Sequence, residues 1–187
     1  MNLRATPLKP TVRRALATLA AASCLIGSWA TVSVAQGSLP GLTIFSGVDR
    51  EYELGFRLDN GGRINRFDRY HLRIPAEKLE TAGGMFVVTY PDTYEGDIDP
   101  EEIEIRVSGD AVPLEGVTWN QEDRFVELVP LEPIPALSRV EIVFSNVRNP
   151  RRTGTHYFNA LVRAPGDVIP PQYVGTWILS FGRQSSD

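Results

Sequence analysis

Cysteine is nearly absent from this 187-residue chain: Cys24 is the single one, and it lies within the first 35 residues. Without a second thiol no intrachain disulfide can form, and if the leader is removed no thiolate nucleophile or cysteine metal site survives. Histidine is almost as scarce, with only His71 and His156. A catalytic zinc site usually wants three protein ligands, so one imidazole is a poor basis for it. His71 has Arg69 and Arg73 on its own strand face, where a general base would need an orienting acceptor, and both imidazoles read as surface strand residues. No G-x-S-x-G nucleophile elbow occurs, nor any internal repeat or low-complexity tract. Beyond residue 35 no helical period is sustained for three turns, which excludes a helical bundle.

What the chain does have begins at its N-terminus. Arg4, Lys9, Arg13 and Arg14 precede an apolar run from Ala15 to Val32, and Ser33-Val34-Ala35 then supplies a small-x-small site. That order is the grammar of a cleavable signal peptide over residues 1–35. A transmembrane helix is the competing reading, but Ala, Ser, Thr and Gly dominate the run and no basic stop-transfer cluster follows. Lipidation at Cys24 is disfavoured by Ala21, where such sites want Leu. Cleavage after Ala35 leaves one domain, residues 36–187, with no transmembrane span. The leader carries four basic residues and no acidic one, so its loss moves the formal net charge from −4 to −8. A polymer of like sign is repelled on average, which argues against nucleic acid as a partner.

The remainder reads as short alternating segments between turn residues. Tyr52 to Leu58, Tyr70 to Ile74 and Ile103 to Val107 each place apolar residues on one face. Met85 to Tyr90 is apolar on both faces, as in a central strand. Further strands are expected at Val117 to Trp119, Arg124 to Val129, Val140 to Phe144, Tyr157 to Val162 and Val174 to Phe181, making nine. Asn120 to Asp123 forms a hairpin loop, Ser108-Gly109-Asp110 a turn, and Ala76 to Thr81 at most a short helix. Amphipathic strands bury their apolar faces only against another sheet, so the expected fold is all-β: an immunoglobulin-like two-sheet antiparallel β-sandwich with Trp119 and Trp177 in its core.

Several stretches, in order, resemble a family of exported cyanobacterial proteins, domain-of-unknown-function family 2808. They include Asp68-Arg69-Tyr70-His71-Leu72-Arg73-Ile74-Pro75, Val88-Thr89-Tyr90-Pro91-Asp92, Ser145-Asn146-Val147-Arg148-Asn149-Pro150 and Gly175-Thr176-Trp177-Ile178-Leu179-Ser180. The resemblance implies export and a single small domain, and carries no activity with it.

Two constellations bear on binding. The acidic stretch from Asp92 to Glu104 offers Asp92, Asp97, Asp99 and Glu101 as oxygen ligands for calcium, the natural hard cation outside the cell. It fails the EF-hand template, with Glu102 where Gly is needed and Ser108 where Glu is needed, and a solvated charged face is the preferred reading. Basic residues fall into two groups: Arg63, Arg66, Arg69 and Arg73, and Arg148, Arg151 and Arg152 with His156. Arginine pairs bidentately with carboxylate or sulfate, so the loop holding Arg148, Asn149, Arg151 and Arg152 is the candidate site for an acidic envelope glycan. The competing role is pairing with the acidic stretch or with neighbouring strands. Tyr94 and Tyr173 are candidate sugar-stacking residues, though packing is the commoner use. The expectation is a non-enzymatic binding module of the periplasm, outer envelope or extracellular space. An enzyme acting on envelope polysaccharide and a structural subunit contacting other envelope proteins are the alternatives.

Overall fold

The computed structural model describes residues 47–183; the expected leader, its expected cleavage site and Cys24 lie outside them. Ten strands follow in chain order: β1 (Phe56–Leu58), β2 (Phe67–Ile74), β3 (Met85–Thr89), β4 (Ile103–Val107), β5 (Asp110–Val112), β6 (Leu114–Asn120), β7 (Phe125–Pro130), β8 (Val140–Arg148), β9 (Gly154–Arg163) and β10 (Gln172–Phe181). They form two antiparallel five-stranded sheets, ordered β1-β2-β8-β4-β5 and β10-β9-β3-β7-β6. The architecture is the expected all-β, two-sheet antiparallel sandwich.

Proline and turn chemistry set the strand ends. β2 stops before Pro75, whose missing N–H cannot extend the ladder, and a 3₁₀ turn over Ala76–Lys78 follows in place of a longer helix. Asn120 closes the β6–β7 hairpin by accepting from Asp123 N at 2.9 Å and donating to its carboxylate at 2.8 Å. Ser108 and Gly109, both at positive φ, turn β4 into β5, the short edge strand that the alternation pattern does not show.

The core lies between the sheets. Tyr70, Leu72 and Ile74 of β2 and Ile142 and Phe144 of β8 face Phe86 and Val88 of β3, Phe158 of β9 and Trp177 of β10, all buried. Trp177 is fully enclosed and donates its indole N–H to Arg73 O across the sandwich at 3.0 Å. Trp119 departs from expectation. It sits on the edge strand β6, is only half-buried, and donates to Tyr90 Oη at 2.7 Å. Tyr52 departs too, falling in a 3₁₀ turn over Arg50–Tyr52 before the chain runs along β10 through Leu54 N to Thr176 O at 2.8 Å. Gly175 permits that close approach, because a Cβ there would lie 2.6 Å from Leu54 Cγ and 2.7 Å from Tyr52 O.

The ends of the sandwich differ chemically. The loops from β7 to β8 and from β9 to β10 lie at one end and carry exposed Leu131, Leu137, Val168 and Ile169. The other end, where β2 begins, β8 gives way to β9 and β10 finishes, gathers the arginines described next. Among the described residues, no helix is long and apolar enough to cross a membrane.

Candidate functional site: an arginine-rich end of the sandwich

Beneath this end lies a buried polar network. Asp68 sits in the core-facing phase of β2 with Tyr70, and its carboxylate accepts from Asn60 N (2.7 Å), Arg69 N (2.8 Å), Gly62 N (2.9 Å) and Asn149 Nδ2 (3.1 Å). Asn149 Nδ2 also donates to Arg63 O at 2.9 Å, while its Oδ1 accepts from Tyr70 Oη at 2.5 Å. Tyr70 has one proton and gives it to Asn149, so Tyr94 Oη, 3.1 Å away, is the donor of that pair. Burial pushes the ionisation of Tyr70 and Tyr94 far up, so both stay neutral phenols. The expected glycan contact of Asn149 is therefore not available at its amide: the side chain is buried and committed to holding two loops together.

Those bonds pin the loop between β1 and β2 against the loop between β8 and β9. Asn149 N donates to Arg66 O at 2.8 Å, Asn65 N to Pro150 O at 2.9 Å, and Ile64 N to Gly182 O at 3.0 Å. Arg63, Arg66, Arg148, Arg151, Arg152 and Arg183, far apart in sequence, are thereby brought to one end and all are exposed. The acidic stretch crosses the same end beside them, tied by the backbone pair Asp97–Arg148 at 2.9 Å in both directions. Yet only Arg152 approaches a carboxylate there, Glu95 at 4.0 Å. Arg148 donates to the neutral Asn65 Oδ1 at 3.0 Å. Among the described residues, Arg63, Arg66, Arg148, Arg151 and Arg183 have no carboxylate within ion-pair distance. The mutual neutralisation considered above is thus confined to one long contact.

The first basic group does not act as a unit. Strand alternation sends Arg69 and Arg73 to the outer face of the first sheet, where Arg73 pairs with Glu141 at 3.1 Å and Arg69 bonds Ser145 at 3.1 Å. Only Arg63 and Arg66, in the preceding loop, reach the arginine end. Arg183 belongs there through the bonds of the adjacent Gly182.

Both histidines are buried, against the expectation of surface positions. His71 lies on the outer face of the first sheet under longer neighbours. Its Nε2 accepts from Arg57 Nη2 at 2.8 Å, which leaves the ring proton on Nδ1, 3.4 Å from Glu141 Oε2. Burial raises the Glu141 pKa, but the hydrogen bond from Arg73 and the nearby His71 ring outweigh it and the net direction is down. His156 packs edge-on to Tyr94 at 5.6 Å and beside Phe181 at 5.7 Å; burial lowers its pKa, partly opposed by Glu95. Tyr94 belongs to the same aromatic cluster, with Phe158 at 4.8 Å, and offers no face to a sugar. Tyr173 is half-buried against Tyr52.

The proposed calcium ligands are not drawn together. Asp99 caps the 3₁₀ turn Pro100–Glu102 by accepting from Glu101 N and reaches Asn146 Nδ2 at 3.4 Å. Asp97 is engaged through its backbone. Among the described residues no group of three or more His, Cys, Asp or Glu side chains is placed to hold a metal ion.

Among the clefts formed by the described residues are the following two. The larger, about 820 Å³, is a shallow groove between the β4–β5 hairpin and the edge strand β6, bounded by Ile103, Val112, Leu114 and Val117 with Glu101 and Glu104 at its rim. The smaller, about 430 Å³, lies at the arginine end between Asp59-Asn60-Gly61, Arg63 and Gly182-Arg183.

Comparison with known proteins places the chain in a family. Residues 42–181 match the family described as protein of unknown function (DUF2808), and the chain belongs to it. No curated protein matches the sequence. Similar solved structures include BslA, a bacterial hydrophobin, at 16% identity and TM-score 0.47, covering 71% of this chain and 98% of that one. The collagen-binding domain of a Staphylococcus aureus adhesin aligns at 10% identity and TM-score 0.39, covering 68% of this chain and 95% of that one. An uncharacterised Nocardia farcinica protein with an immunoglobulin-like fold aligns at 14% identity and TM-score 0.37, covering 70% and 98% respectively.

Proposed function

We propose that this protein is an exported, non-enzymatic binding module of a cyanobacterial cell envelope, released from its leader after Ala35, that recognises an acidic polysaccharide through the arginine end of its sandwich. One observation carries the reading: two loops and the end of β10 are hydrogen-bonded into a frame that displays six exposed arginines, of which, among the described residues, only Arg152 has a carboxylate within ion-pair distance, Glu95 at 4.0 Å. An exposed arginine without an internal partner contributes almost nothing to folding, so its use lies with an external anion. The acidic net charge does not oppose this, because a polymer near the surface responds to the local field before the distant total. Export makes the anion an envelope or capsular glycan in place of nucleic acid.

The test is retention. Immobilised residues 36–187 should retain acidic exopolysaccharide from fractionated envelope, and added salt should release it. Retention of neutral glycans alone would remove the arginine end from the account.

A further inference from the structure

Arginines alone grip any polyanion; the cleft beside them adds a shape and a second kind of chemistry. Its walls are Asp59, Asn60 and Gly61 from the loop after β1, Arg63, and Gly182 and Arg183 from the end of β10. The backbone ties of Gly182 to Gly62 and Ile64, each 3.0 Å, hold the two walls in register. A volume of about 430 Å³ falls in the range of about 300–1,000 Å³ typical of small-ligand sites. Gly61 and Gly182 line it without side chains, and a Cβ at either meets nothing within 4 Å, so both open onto free space.

The lining is not that of a bare phosphate or sulfate site. Asp59 pairs with Arg57 at 3.1 Å, which partly neutralises its carboxylate and leaves acceptor capacity on it. An inorganic anion gains nothing from that carboxylate. A hydroxylated ring bearing its own carboxylate does, because its hydroxyls donate to Asp59 while its carboxylate accepts from Arg63 and Arg183. We infer that the cleft seats one uronic-acid unit of the acidic polysaccharide, with the arginines of the β8–β9 loop gripping the polymer beyond it. The inference rests on the function proposed above and deepens it, turning a charge-driven surface into one that selects sugar acids.

The experiment uses residues 36–187 and two probes, an oligogalacturonate of defined length and inorganic polyphosphate, each titrated against wild type, Gly182→Val and the double variant Arg148→Ala/Arg151→Ala. Gly182→Val adds a branched side chain at a residue that lines the cleft, without changing charge. It should weaken oligogalacturonate by about tenfold or more, as excluding a docked group from its pocket does. Polyphosphate binding should stay within about twofold, the usual reach of a surface substitution. The arginine pair should weaken both probes. Unchanged oligogalacturonate binding in Gly182→Val overturns the cleft while leaving the arginine surface standing, whereas failure of wild type to bind either probe overturns the surface itself. If Gly182→Val lowers Tm, Gly182→Ala and the shifts of the Gly61 and Gly182 amide resonances on adding oligogalacturonate decide the same question.

Discussion

Asp68 is the residue on which the site's geometry depends most. One buried carboxylate accepts four hydrogen bonds from three segments of chain, and Asn149 passes the constraint on to Tyr70 and Tyr94. Removing it leaves several buried donors without an acceptor, so Asp68→Ala should cost at least about 3 kcal/mol in chemical denaturation. Tyr70→Phe strips a single partner from Asn149 and Tyr94 and should cost about 1–3 kcal/mol; equal stability to wild type would show the network to be ornamental. His156 adds a pH dependence. Its folded pKa is depressed by burial below the ordinary 6.5, so the unfolded chain takes up the proton first. The stability it supports is complete above about pH 6.5 and falls as pH drops through its folded value. Wild type should therefore lose more Tm than His156→Gln between about pH 7 and 5.5, while Glu141, lowered from 4.5, acts only at more acid pH. At this scale the sequence was a partial guide. Asp68 stands two residues before Tyr70, in the phase that faces the core, so its burial was legible; the burial of His71 was not, because long neighbours on three strands cover it.

At the level of elements, turn chemistry and alternation were enough to locate nine of the ten strands, because period-two patterning and Pro, Gly and Asn act locally. β5 escaped because its three residues, Asp110-Ala111-Val112, are too short to show a period. The two tryptophans show what alternation leaves open. A strand's facing can be read from its own sequence, but whether it is central or an edge depends on pairing with distant segments. Trp177 is in the core, and Trp177→Ala should cost about 3–5 kcal/mol. Trp119 lies on the edge strand β6, and its truncation should cost clearly less, since the residue is only partly buried. Comparable losses for both variants in urea unfolding would contradict the edge assignment. Gly175→Ala should be more damaging than its size implies, because the new methyl meets Leu54 and the Tyr52 carbonyl.

For the molecule as a whole, the fold's contribution is convergence. Arg63 and Arg66 share an end with Arg148, Arg151, Arg152 and Arg183 only because β2, β8 and β10 all start or finish there. Nothing local in the sequence pairs those segments, which is why the arginines read as two groups with Arg69 and Arg73 wrongly joined to the first. The central claim is that the shared end binds an acidic polysaccharide through those side chains. The most direct measurement is a calorimetric titration of a uronic-acid polysaccharide into residues 36–187, wild type against Arg148→Ala/Arg151→Ala, at about 50 mM and about 500 mM salt, where screening lengths differ severalfold. Wild-type affinity should fall with salt, the double variant should bind about tenfold more weakly at low salt, equivalent to about 1.4 kcal/mol, and its Tm should match wild type, since the lost side chains are exposed. Equal affinity of the two proteins, or a variant whose weaker binding is matched by a large fall in Tm, would contradict the account.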